Sequence, residues 1–146
     1  MFETGNLLYF NPFLFPDGGK PKPKYFLVLA KADDNVLLAS LPTSKDHVPA
    51  DVAVEAGCLE MPERRVNVYV MPADMVVTDS GFSFRVNTFI YGANVKTYDQ
   101  RLFVVQIEEL QTEVSLIGKM TDDIFSDLCQ CLKDSDAVRK RYKKYL

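Results

Sequence analysis

Short apolar runs separated by turn residues fill most of the chain, and their spacing predicts β-strands. Leu7–Phe10 is one run, closed by Asn11-Pro12. The segment from Phe13 to Lys24 holds Pro16, Pro21 and Pro23 with Gly18 and Gly19. It reads as an extended loop, because proline removes a backbone donor and restricts the residue before it. Tyr25–Ala32 (YFLVLAKA) fits a largely buried strand. Asp33-Asp34-Asn35 supplies turn chemistry, and Val36–Leu41 returns as the hairpin partner. Pro42 and Pro49 bracket the irregular segment TSKDHV, and residues 51–56 read as a short helical turn that Gly57 ends.

Val66, Val68 and Val70 alternate with Asn67 and Tyr69, the period of a half-buried strand. Residues 76–78 and 82–86, joined by Asp79-Ser80-Gly81, read as a further hairpin. Thr88–Tyr91 and Leu102–Ile107 (LFVVQI) are expected as strands, with 92–101 a polar loop between them. The pattern then changes period. Thr121 with Asp122 and Asp123 marks a helix start, a capping hydroxyl followed by acids that complement the helix dipole. Ile124, Leu128 and Leu132 recur every four residues, widened by Phe125 and Cys129. The phase slips after Leu132, where Asp134-Ser135 opens a second short helix carrying Val138, Tyr142 and Leu146. About six short strands and a final amphipathic helix predict a mainly β fold. Its expected form is a small antiparallel barrel, one domain over 1–146, closed by a helical segment at about 121–146.

Composition narrows the class. An apolar fraction of 47% and a charged fraction of 25% suit a globular protein. No apolar run approaches the roughly 20 residues of a membrane helix, and MFETGNLLYF lacks the basic start of a secretory signal. No membrane association is expected. Cys58, Cys129 and Cys131 are an odd set without metal-like spacing, so they read as reduced thiols in the cytoplasm. No metal and no cofactor are expected. The net charge of −3 conceals a basic C-terminus, since residues 133–146 hold six basic groups against two acids. The remaining body is acidic, which makes any nucleic-acid affinity local rather than general.

Candidate chemistry concentrates in 20–49. Lys20, Lys22 and Lys24 enter the first hairpin strand, and Thr43, Ser44, Lys45, Asp46 and His47 follow the second. Cations beside hydroxyls suit a phosphate or another oxyanion. Each group also has a plainer role: the lysines as a solvated loop, the hydroxyls as local backbone partners, His47 as a surface histidine. Phe82, Phe84, Phe89 and Tyr91 have the types that stack on bases, but aromatics at strand spacing belong more often to a core.

The order of segments resembles the MazF/PemK-type toxins of bacterial toxin–antitoxin systems. The resemblance is carried by Gly5-Asn-Leu-Leu-Tyr-Phe, Gly18-Gly-Lys-Pro-Lys-Pro-Lys, Phe26-Leu-Val-Leu, Leu41-Pro-Thr-Ser and Ile117-Gly-Lys-Met-Thr. It covers roughly the first third and last fifth of the chain, and the middle departs from the family. It implies an SH3-like barrel, a homodimer and a cognate antitoxin protein. The implied activity is metal-independent cleavage of single-stranded RNA, by attack of a ribose 2′-oxygen on phosphate. Carried over, the catalytic groups are Thr43 and Lys24, or Lys22 if the Lys-Pro pair aligns instead; His47, four residues from Thr43, is a candidate acid or base by its own chemistry. Lys20, Lys22, Ser44 and Lys45 would contact RNA. The family's arginine is a lysine here, a point charge in place of a bidentate fork, which leaves open a non-catalytic RNA- or protein-binding module on the same fold. Lys24 and Thr43 lie equally far from the Asp33-Asp34 turn, so an unbroken hairpin pairs them.

Overall fold

The computed structural model describes residues 1–41, 51, 53–64 and 66–146. The fold is mainly β, with antiparallel sheets and a C-terminal helix. Among the described residues eight strands form: β1 (Asn6–Phe13), β2 (Lys22–Ala32), β3 (Asn35–Leu41), β4 (Gly57–Met61), β5 (Val66–Met71), β6 (Thr88–Tyr91), β7 (Val95–Asp99) and β8 (Glu113–Lys119). They make a five-stranded sheet, ordered β7-β3-β2-β1-β8, and a three-stranded sheet, β4-β5-β6. The expected barrel does not close. β7 and β8 are opposite edges of the large sheet, and the smaller sheet stacks rather than joins it.

The helices are α1 (Gln100–Val104), α2 (Asp122–Lys133) and α3 (Lys140–Lys143). The strand expected at Leu102–Ile107 is instead α1 running into a π-turn at Val105–Glu109. Asp99 decides the matter, since its side chain accepts from the Arg101 amide and caps a helix start. Phe103 is buried, while Val104 and Val105 face solvent. The loop expected at 92–101 contains β7 after a single 3₁₀ turn at Gly92–Asn94. The hairpin expected at 76–86 reduces to one bridge, Val76 to Ser83. Among the described residues between 51 and 56 there is no helix. β5 is buried on both faces beyond Val66, not half-buried.

α2 begins and ends where its pattern places it, with Leu128, Cys131 and Leu132 buried. Thr121 occupies the N-cap position, but its hydroxyl makes no capping bond. Of the second short helix only Lys140–Lys143 forms, with Arg139 and not Asp134-Ser135 at its N-cap position; it carries Tyr142, while Val138 and Leu146 lie outside it. Gly118 in β8 lies against Thr78 and Ser80 so closely that a Cβ would not fit.

The large sheet has two unlike faces. Leu7, Leu27, Leu37, Ala39 and Leu41 pack with Tyr69, Ile90, Leu128 and Leu132 from the small sheet and α2. Leu8, Phe10, Phe13, Phe26, Val28 and Leu38 form a second core under Phe103. Four aromatic rings meet there, Phe10, Phe13, Phe26 and Phe103, with centroids 4.8–6.0 Å apart.

The reading of three reduced cysteines is corrected. α2 brings Cys131 to Cys58 on β4, and the two form a disulfide; Cys129 stays free. Two positions apart on a helix point to different faces, so only Cys131 turns towards the small sheet. The argument for a cytoplasmic location from reduced thiols therefore loses its footing. No helix among the described residues is long and apolar enough to cross a membrane.

Candidate functional site

At one end of the aromatic face the core gives way to a cleft of about 280 Å³. Its lining includes Lys24, Ser40 and Lys96 from three neighbouring strands, with Phe15, Asp17 and Tyr98 around them. Strand alternation produces this convergence. On β2, Lys24 shares a face with Phe26 and Val28; on β7, Lys96 shares it with Tyr98. Register places Lys24 opposite Phe10 of β1, Phe26 opposite Ser40 of β3, and Leu38 opposite Lys96 of β7.

The wall above Lys24 is held from a distance in sequence. Gln106, buried in the π-turn, accepts from the Leu14 amide and donates to the Leu14 carbonyl, each at 3.0 Å. This pair of bonds fixes the backbone next to Phe15. Phe15 packs edge-on against Phe13 at 5.0 Å. Lys22, exposed on β2, places its ammonium 5.7 Å from the Phe15 ring centroid. Lys96 lies 5.4 Å from the Tyr98 ring. Each cation thus rests beside an aromatic surface.

Lys24 is half-buried, and burial, followed by the charges of Lys22 and Lys96, holds its ammonium below the ordinary lysine value. An anion in the cleft would offset the repulsion from Lys22 and Lys96 and favour the charged form of Lys24. Burial pushes the Tyr98 hydroxyl up to about 12, so it stays a neutral donor at physiological pH. Asp17 accepts from the Gly19 amide at 2.9 Å and is the one carboxylate among the described residues of the lining.

Of the residues expected from sequence, the structure brings Lys24 into the cleft and Lys22 to its edge. Lys20 is exposed in the preceding loop and is absent from the lining. Thr43, Ser44, Lys45 and His47 lie outside the described residues. The equal-arm pairing of Lys24 with Thr43 needs an unbroken ladder, and the β2–β3 register shifts between Val28 and Ala30. The bulge breaks that symmetry by one residue. Phe84 and Phe89 are buried core, as their strand spacing suggested. Ser40, Lys96, Tyr98 and Gln106 were not anticipated. Lys96 and Tyr98 carry a weak signal, alternation in a segment with turn-like composition; Gln106 carries none. Among the described residues no three His, Cys, Asp or Glu side chains converge as metal ligands.

Comparison of the chain with protein-family models, with curated proteins and with solved structures finds no match in any of the three.

Proposed function

We propose that the Lys24 cleft binds single-stranded RNA. A phosphate sits among Lys22, Lys24 and Lys96, and a base lies against the accessible parts of Phe15 and Tyr98. The observation that carries this reading is the pairing of clustered cations with aromatic rings on one wall, in a chain whose net charge is −3. Single-stranded nucleic-acid sites combine these two ingredients, backbone cations and ring faces. Asp17 on the rim repels phosphate but can accept from a base amino group, so it favours bases that offer one.

The test is fluorescence anisotropy with labelled mixed-sequence RNA in the presence of chelator. Lys24→Ala with Lys96→Ala is expected to weaken binding at least tenfold and flatten its salt dependence. An unmodified protein that leaves single-stranded RNA unbound at low salt overturns the proposal.

Cleavage is the second reading, favoured by the depressed proton affinity of Lys24. The 2′-oxygen forms a bond to phosphorus, the bond from phosphorus to the 5′-oxygen breaks, and Lys24 gives its proton to the departing 5′-oxygen. The 2′-hydroxyl proton passes to a base, a role for which His47 is the candidate by its chemistry. A cyclic phosphate remains on one fragment. RNA left intact at stoichiometric protein sinks this reading and leaves the binding proposal standing. The same reading includes a homodimer, a cytoplasmic location and an acidic antitoxin segment that competes with RNA for the cleft. Disulfides are uncommon in the cytoplasm, so thiol trapping from intact cells should find Cys58 and Cys131 reduced if that location is right.

A further inference from the structure

We infer that a second cleft, on the opposite face of edge strand β7, carries the same RNA strand onwards over Arg141 and Lys144. This inference rests on the RNA reading of the Lys24 cleft. The starting point is β7 itself, where Lys96 and Tyr98 face the first cleft and Thr97, between them, faces the other way. Thr97 lines a separate cleft of about 270 Å³ with Asn35, Arg141, Tyr142, Lys144 and Tyr145. Because β7 is an outer strand of its sheet, the two clefts open on either side of one edge. A sheet is a single backbone thick, so a flexible strand rounds that edge within a few nucleotides.

The second cleft repeats the chemistry of the first. The Arg141 guanidinium lies 4.9 Å from the Tyr142 ring centroid, and the Lys144 ammonium 5.0 Å from that of Tyr145. Stacking holds each cation without neutralising it. Among the described residues the ion pairs are Lys31 with Glu3, Arg64 with Asp51 and Arg101 with Asp99; Arg141 and Lys144 are in none of them. A phosphate would supply the missing counter-charge.

The Tyr142 hydroxyl reports the local potential. Burial alone would push its proton affinity up, yet the nearby Thr97 and the charged Arg141 hold it below the ordinary tyrosine value. The cleft floor therefore favours negative charge. Ring faces alternating with cations suit a nucleic-acid strand better than an acidic peptide, whose carboxylates have no use for Tyr142 and Tyr145.

The experiment titrates the whole protein with oligouridylate of about ten nucleotides, within the range of single-strand site sizes, and follows backbone amides by NMR. One set of signals, at Lys24 and Ser40, reports the first cleft; another, at Arg141, Tyr142 and Lys144, reports the second. Both sets moving and saturating together is the expected result. Movement at Lys24 and Ser40 alone overturns the inference and leaves the first cleft intact. Movement at the second set alone removes the RNA reading of the Lys24 cleft and, with it, the continuous path. No movement in either set removes both.

A variant pair sharpens the result. Arg141 and Lys144 are exposed, so Arg141→Gln with Lys144→Gln spares the core. The variant should bind the ten-nucleotide probe at least fivefold more weakly, with a salt slope shallower by about 1.4, the share of two single-strand phosphates. Its affinity for a trinucleotide should be unchanged. An unaltered slope with the longer probe overturns the inference.

Discussion

The two faces of the five-stranded sheet come from the same central strands and are finished in different ways. One face, built on Leu7, Leu27, Leu37, Ala39 and Leu41, is met by an entire second sheet and by α2. The other, built on Leu8, Phe10, Phe26, Val28 and Leu38, is met by the five-residue helix α1 and its neighbour turn. A full layer leaves the aliphatic face an opening at the β7 edge, by Thr97, and seals it over its central strands. A short helix cannot, so the aromatic face is closed only around Phe103, and charged residues occupy the uncovered end. Chemistry collects where the second layer runs out, and the candidate site is a consequence of incomplete coverage.

The largest test of that contrast compares one buried residue from each face. Phe103→Ala should cost about 3–5 kcal/mol, because the ring touches every member of the aromatic cluster and leaves a cavity. It should also weaken RNA binding beyond what unfolding explains, since the cleft wall rests on that cluster. Leu132→Ala on the sealed face should cost about 2–5 kcal/mol and leave RNA affinity unchanged below the melting temperature. Denaturant titration and anisotropy on both variants check this. Equal effects on binding would erase the distinction between the faces.

Next in size is the covalent tie on the sealed side. Cys58→Ser opens a disulfide with a sequence separation of 73 residues, and loops of that order are worth about 2–4 kcal/mol. Melting with and without reductant should show the same loss in the unmodified protein and none in the variant. RNA affinity should not respond, because Cys58 and Cys131 belong to the small sheet and α2.

Gln106→Leu should cost about 1–3 kcal/mol, the penalty for stranding the Leu14 amide and carbonyl. Unlike Cys58→Ser, it should also loosen the loop at Phe15 and reduce RNA affinity. Amide exchange at Leu14 gives an independent reading; protection that survives the substitution would show that Gln106 is not the clamp.

The central strands and α2 were legible in the sequence, whereas β4 of the small sheet and the elements that close the open face were not, for a physical reason. Val36–Leu41 and the four-residue recurrence of Ile124, Leu128 and Leu132 advertise elements covered by a full layer. The open face is closed by Leu102–Ile107, whose β-branched content reads as strand, while the capping bond from Asp99 makes it helical. Local propensity lost there to one side-chain bond and to the burial of Phe103. β7 hid in a segment with loop-like composition, and with it Lys96 and Tyr98. β8, exposed at Leu116, hid because an edge strand of mixed burial has no clean alternation. The cysteine pair was invisible because Cys58 and Cys131 meet only through the packing of α2 on β4. Lys24 is singled out among the three lysines only by the toxin resemblance, counting back from Leu27-Val28-Leu29; Gln106, a polar residue in an apolar run, gives no warning of its role.

A smaller effect separates lysine from arginine at position 24. The Lys24 ammonium is held below the ordinary lysine value by burial and by Lys22 and Lys96. Phosphate binds its charged form, so that contribution to affinity is present at low pH and is lost as pH rises through the lowered value. Lys24→Arg keeps its charge at every pH tested. Its affinity for RNA should therefore hold on the alkaline side while that of the unmodified protein falls. Parallel profiles would mean that Lys24 does not meet the phosphate.

The most direct test pairs affinity with stability in Lys24→Met. A half-buried cation crowded by two others is costly to the fold, and methionine fills its space without charge. The account predicts a melting temperature equal to or above that of the unmodified protein, together with at least tenfold weaker binding of single-stranded RNA. Unchanged RNA affinity in a stably folded Lys24→Met protein would contradict it.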